Sequence, residues 1–203
     1  MYYFLTQDLE SAFKLTCLVK GTVDRTNFNC SCSLYKEYDF DVFLGVVKDA
    51  IKNNIEADGK FCNLKSGKVY VAVFYDDDVG QERGLLLFSI EEGSWFSNSK
   101  SKSAVEHLQV RFDSSRLSAG ISRATAGLLR GLVDAGVVDR AIGGGSTSYQ
   151  EEVKNAYLKL GFKMSYEFCY EKQSSSTCYE KQSSSACYEK HLDTDKQLEE
   201  NNE

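Results

Sequence analysis

Between residues 68 and 90 the chain spells out a β-hairpin. Lys68–Tyr75 (KVYVAVFY) is rich in β-branched and aromatic residues, 76–83 (DDDVGQER) is charged and turn-like, and 84–90 (GLLLFSI) is strand-like again. Two such runs around turn chemistry predict an antiparallel pair. The pair commits the chain to a sheet, and its flanks decide what covers that sheet.

Upstream, Tyr2–Leu5 (YYFL) reads as a short strand. Gln7, Asp8, Leu9 and Glu10 open a helical pattern whose acids suit the helix dipole. Asp39 is the expected N-cap of a second helix with Phe40, Phe43, Leu44, Val47 and Ile51 on one stripe, ended by Asn53 and Asn54.

Downstream, 97–103 (SNSKSKS) is expected to be a polar loop and 104–112 (AVEHLQVRF) a strand. Residues 113–118 (DSSRLS) turn into a third helix with Ile121, Ala124, Leu128, Leu132 and Ala135 facing inward. Gly127 and Gly131 beside that stripe are small enough to let the helix approach the sheet closely, although each weakens a helix interior. A short strand at 138–142 follows, with Gly143, Gly144 and Gly145 as its flexible exit. Ser148 and Glu151 form a capping box for a fourth helix whose inward residues are Val153, Ala156, Tyr157 and Leu160. Gly161 is its left-handed C-terminal cap, and Met164, Tyr166 and Phe168 alternate as a last strand. The order predicts an α/β (α+β) fold, with helices over a mixed sheet.

The chain changes character at Cys169. The units CYEKQSSST, CYEKQSSSA and CYEKHLDTD place Cys169, Cys178 and Cys187 nine residues apart. Residues 169–203 hold too little apolar surface to offset the entropy of ordering them, so they are expected to be a disordered, low-complexity tail behind a folded domain at 1–168. The tail is either a segment that binds a protein partner or an expanded repeat that is tolerated.

Composition narrows the function. A net charge of −6 supplies no basic face for nucleic acid. No run approaches the ~18 apolar residues of a membrane span. The opening MYYFLTQDLE has no basic region leading into an apolar stretch, so no leader is expected. A cytoplasmic location with reduced cysteines follows. Cys30 and Cys32 have one residue between them and no nearby histidine, so no metal site is expected.

Tyr157-Leu158-Lys159-Leu160-Gly161-Phe162 resembles the Y-x-K-x-G-F signature near the end of the GNAT superfamily of N-acetyltransferases. The stretch 108–122 resembles the strand, turn and helix start that hold acetyl-coenzyme A there, and Leu5-Thr6-Gln7-Asp8-Leu9 resembles the opening of many members. The resemblance implies a GNAT-like, mostly antiparallel twisted sheet flanked by helices. The family's Q/R-x-x-G-x-G/A loop lets backbone N–H groups approach a pyrophosphate at a helix N-terminus. Two registers fit it here: Ser115, Ser118 and Gly120, or Leu117, Gly120 and Ser122, with Arg116 off the pattern by one in both.

The resemblance assigns roles. Val110, Arg111 and Phe112 would polarise the thioester carbonyl through backbone N–H groups. Arg116, Ser118, Ala119, Gly120, Ile121 and Ser122 would hold acetyl-CoA, the co-substrate. Tyr157 would protonate the departing thiolate, its phenol being protonated at neutral pH. From strand alternation alone, Glu106 and His107 point to opposite faces, and Glu106 shares a face with Leu108 and Val110. There it is a candidate base, as a desolvated carboxylate with a raised pKa. Trp95 and the 97–103 loop are candidates for a substrate mouth.

The expected activity is acetyl-CoA-dependent N-acetyl transfer to a primary amine, on an amine-bearing small molecule or protein acceptor. A homodimer is admitted, and neither nucleic acid nor membrane is an expected partner. The alternative is a catalytically degenerate binding module of the same fold, with the repeat tail contacting a partner.

Overall fold

A computed structural model describes residues 1–26, 38–78, 80–94, 97–112, 120–145, 150–166 and 186–191. Strands are β1 (Tyr2–Leu5), β2 (Lys68–Tyr75), β3 (Glu82–Ser94), β4 (Ser97–Arg111), β5 (Arg140–Gly145), β6 (Lys163–Tyr166) and β7 (Ala186–His191). Helices are α1 (Ser11–Thr26), α2 (Phe40–Glu56), α3 (Ile121–Asp134) and α4 (Gln150–Lys159). One seven-stranded sheet runs β1-β2-β3-β4-β5-β7-β6, antiparallel throughout except for the parallel pair β4–β5. The expected element order holds. No helix among the described residues is long and apolar enough to cross a membrane.

The hairpin strands are apolar on both faces because both faces are covered. Tyr70, Ala72, Phe74, Leu86, Phe88 and Ile90 join a core with Ile121, Leu129 and Tyr157 of α3 and α4. Val71, Val73, Leu85 and Leu87 join a second core with Ala12, Leu15 and Val19 of α1 and Val47 and Ile51 of α2.

Asp39 caps α2 as expected, its side chain accepting from the Val42 N–H at 3.0 Å. The helix does not stop at Asn53–Asn54. Asn54 is fully buried and donates to the Thr6 and Val71 carbonyls, both at 2.8 Å, tying α2 to β1 and β2. The end comes at Asp58 and Gly59, which adopt φ of 54° and 64°, a left-handed pair that a Gly favours. Gly161 takes the left-handed cap position after α4, with φ of 80° and the Phe162 N–H returning to the Tyr157 carbonyl.

Other expectations need correction. Residues 97–103 lie in β4, where they lengthen its antiparallel pairing with β3. A Cβ added at Gly127 or Gly131 would meet nothing within 4 Å, so these glycines do not bring α3 closer to the sheet. The three glycines at 143–145 are not an exit but the second half of β5, paired with β7. That β7 comes from the third repeat unit, beyond residue 168. A strand between two others is held by its backbone ladder, so a polar composition did not disqualify it. Ser148, Phe168 and the remaining repeat residues lie outside the described residues.

Candidate functional site

The parallel ladder between β4 and β5 is short. It joins Ser103 to Arg140, Ala104 to Ala141 and Val105 to Ile142, and stops. Both strands go on, β4 along β3 as far as Arg111 and β5 along β7 as far as Gly145. The sheet therefore opens between them.

The opening begins where β4 is irregular. Phe88 on β3 faces Glu106 and Leu87 faces Leu108, so His107 is an extra residue on β4. Such a bulge resets the alternation of side chains. Beyond it, Val110 and Leu108 pack into the core on the α1–α2 face. Before it, Ala104 lies in the core on the α3–α4 face. Glu106 keeps the phase of Ala104 and reaches α4, so it does not share a face with Leu108 and Val110 as simple alternation demands. His107 does point away from Glu106, its Nε2 lying 2.8 Å from Ser89 Oγ.

Tyr157 is fully buried on α4, and its hydroxyl donates to Glu106 Oε2 in a short hydrogen bond. Two candidates far apart in sequence thus meet at the end of the parallel ladder. The Tyr157 ring packs edge-on against Phe162, at 4.8 Å between centroids. On its other side it lies directly over Gly143. A Cβ there would be 2.5 Å from Tyr157 Oη and 2.7 Å from Cζ, distances no side chain tolerates. Gly143 is therefore what lets the phenol lie across β5 and reach β4. Three glycines inside a strand signal such a close approach of another group, a reading the sequence allowed.

Strand end 110–112 is only partly as expected. The Phe112 N–H donates to the Arg83 carbonyl at 2.9 Å, so it is committed to β3 and does not face the opening. Antiparallel alternation then turns the amide of Val110 toward β3 as well, and those of Gln109 and Arg111 toward the opening. The side chains of Val110 and Phe112 are buried in the α1–α2 core. Residues of α1 hold this strand end from behind: Thr22 Oγ1 donates to the Arg111 carbonyl at 3.0 Å, and Arg25 Nη2 to that of Phe112.

At the far end of the opening stands the start of α3. Gly120 is its exposed N-cap residue, with φ of −75° and ψ of −10°. Ile121 and Ser122 are buried, so they offer a ligand their backbone N–H groups at a helix start rather than their side chains. Gln109 Nε2 donates to Ser122 Oγ at 2.9 Å, joining β4 to that first turn. Gln109 Oε1 and Thr125 Oγ1 are buried without a hydrogen-bond partner. A slender polar chain carrying amide groups fits such an opening: edge amides along one wall, an orphaned acceptor beside them, and a helix N-terminus at the end. Arg116, Ser118, Ala119 and Trp95 lie outside the described residues.

No protein-family model matches the sequence, and no curated protein matches it at a significant level. Solved structures do match its shape. The ribosomal L7/L12 alpha-N-protein acetyltransferase RimL, in complex with coenzyme A, is 11% identical with a TM-score of 0.60, over 94% of this chain and 93% of that one. The microcin C7 self-immunity acetyltransferase MccE, in complex with acetyl-CoA and AMP, is 15% identical with a TM-score of 0.58, over 93% and 91%. An acetyltransferase of the GNAT family from Listeria monocytogenes is 16% identical with a TM-score of 0.55, over 94% of each chain.

Proposed function

We propose that this chain, which has the fold of the GNAT acetyltransferases, is an acetyl-CoA-dependent N-acetyltransferase acting on a primary amine. The acceptor is a small molecule or a protein. The observation that carries the reading is the Tyr157–Glu106 hydrogen bond where β4 and β5 part. The MccE and RimL structures hold acetyl-CoA or coenzyme A, which is the ligand class the opening here would take.

In this reading the backbone amides of Gln109 and Arg111 and the Gln109 side chain hold the pantetheine arm. The first turn of α3, from Gly120 through Ser122, receives the pyrophosphate, where N–H groups and the helix dipole favour an anion. Arg116, Ser118 and Ala119 belong to the loop that leads into it. The acetyl thioester supplies an activated carbonyl carbon and a thiolate leaving group.

Glu106 takes the proton that the acceptor nitrogen loses as its bond to the acetyl carbon forms. Tyr157 gives its proton to the sulfur as the carbon–sulfur bond breaks. The proton on Glu106 then passes across the shared hydrogen bond to the Tyr157 oxygen, restoring both groups. The net transfer is one proton from nitrogen to sulfur. The relay avoids a phenolate resting beside a carboxylate, a pairing that like charges oppose.

Calorimetric titration of acetyl-CoA into the full chain tests the reading. The full chain is the right object because β7 is part of the sheet. Micromolar binding, about −8 kcal/mol, followed by thiol release with an amine panel is the expected result. Absence of binding at millimolar acetyl-CoA would overturn the assignment and leave the non-catalytic binding module.

A further inference from the structure

The repeat gives the chain three copies of one tetrapeptide: Cys169-Tyr170-Glu171-Lys172, Cys178-Tyr179-Glu180-Lys181 and Cys187-Tyr188-Glu189-Lys190. The third copy forms the middle of β7. Cys187 stands opposite Gly144 on β5 and Tyr166 on β6, Tyr188 opposite Gly143 and Met164, and Glu189 opposite Ile142 and Lys163. A backbone ladder on both sides does not distinguish one copy from another. Only the flanking residues and the length of the connection from β6 can.

The first copy is excluded by its turn. With Cys169 opposite Tyr166, only Glu167 and Phe168 would remain to reverse the chain, and two-residue hairpins need Gly, Asn or Asp for their positive φ angles. The second copy is not excluded. It leaves 167–177 as the connection, where the third leaves 167–186, and loop-closure entropy favours the shorter by about twofold. Its flanks are Thr177 and Gln182 in place of Ala186 and His191, and threonine is the better strand residue.

We propose that the position between β5 and β6 is a binding slot for an extended hexapeptide of the form x-Cys-Tyr-Glu-Lys-x, and that 177–182 occupies it in exchange with Ala186–His191. The fold thus carries a spare strand in the same chain. When one copy is in the sheet, the other is released for contact with solvent or a partner. This exchange does not depend on the acetyl-transfer reading.

The test is a cross-link in the full chain bearing Tyr166→Cys, oxidised under native conditions and digested with trypsin. Peptides 173–181 (QSSSTCYEK) and 182–190 (QSSSACYEK) differ by one residue, so mass spectrometry separates links to Cys178 from links to Cys187. Both links are expected, in amounts within about threefold of each other. Tyr179→Pro should abolish the Cys178 link, because proline is barred from a central strand. A link to Cys187 alone, links that join two chains, or a Cys178 link that survives Tyr179→Pro would overturn the exchange.

Thermal melting of the chain with native Tyr166 gives a second measurement. Tyr188→Pro alone should shift the midpoint by less than about 3 °C, while Tyr179→Pro with Tyr188→Pro should lower it by about 10 °C. An equal, large loss from Tyr188→Pro alone would also overturn the proposal.

Discussion

The β2–β3 ladder and the β4–β5 ladder do opposite work in one sheet. Between β2 and β3 the pairing runs from Lys68–Ile90 to Tyr75–Glu82, with apolar side chains on both faces. Between β4 and β5 it lasts three residue pairs, and what lies beyond is a carboxylate, a phenol and a glycine. The first arrangement satisfies its backbone internally and supplies stability. The second withholds pairing where a ligand can complete it. The two arrangements thus stand side by side in one sheet, joined by β4, which pairs with both β3 and β5.

Substitutions can break this division at either end. The largest effect is expected from Tyr157→Phe, which should lower kcat about 10²–10⁴-fold, with acetyl-CoA affinity nearly unchanged and a midpoint within a few degrees of the parent. Unaltered turnover would remove the phenol from proton transfer. Phe88→Ala should do the reverse, costing about 3–5 kcal/mol of stability in chemical denaturation while the folded fraction keeps its kcat. A loss of kcat per folded molecule would show that the two ladders are not separable.

Gly143→Ala sits on the boundary. It should lower kcat about tenfold by displacing the phenol from Glu106, and cost about 1–3 kcal/mol from overpacking. In a Tyr157→Phe background the kcat part should vanish, and its persistence would place the role of Gly143 elsewhere. Asn54→Ala leaves buried carbonyls of Thr6 and Val71 without a donor and should cost about 2–3 kcal/mol, a midpoint drop of roughly 5–10 °C, with kinetics intact. Gly120→Asp should be mildest, raising KM for acetyl-CoA about two- to fivefold through charge at the start of α3. Salt should erase that effect, and a salt-independent rise would argue against it.

How much of this was legible follows from where each determinant resides. Single-element properties were readable: the hairpin, the Asp39 cap, the Gly161 cap and the element order each depend on local chemistry. Tyr157 and Glu106 were readable as candidates, one from its hexapeptide and one from its strand. Their meeting was not, because the phase of Glu106 depends on how β4 pairs with β3, and one strand does not encode the bulge that its partner reveals. The commitment of the Phe112 amide to Arg83 was hidden for the same reason. Asn53 and Asn54 looked like a stop because asparagine favours turns, yet Asn54 is kept in the helix by two carbonyls distant in sequence. Composition missed β7 because it weighs side chains, whereas an interior strand is recruited by backbone.

The extra residue at His107 behaves like a frameshift written in space. Deleting that one residue would make Glu106 and Leu108 adjacent, and strict alternation would then keep them on opposite faces, Glu106 still opposite Phe88 and Leu108 still opposite Leu87. A gene can therefore lose that one codon without moving Glu106 off the face it shares with Tyr157. Comparison of related chains by the spacing between Glu106 and Val110 would record that loss, although both residues would keep their faces.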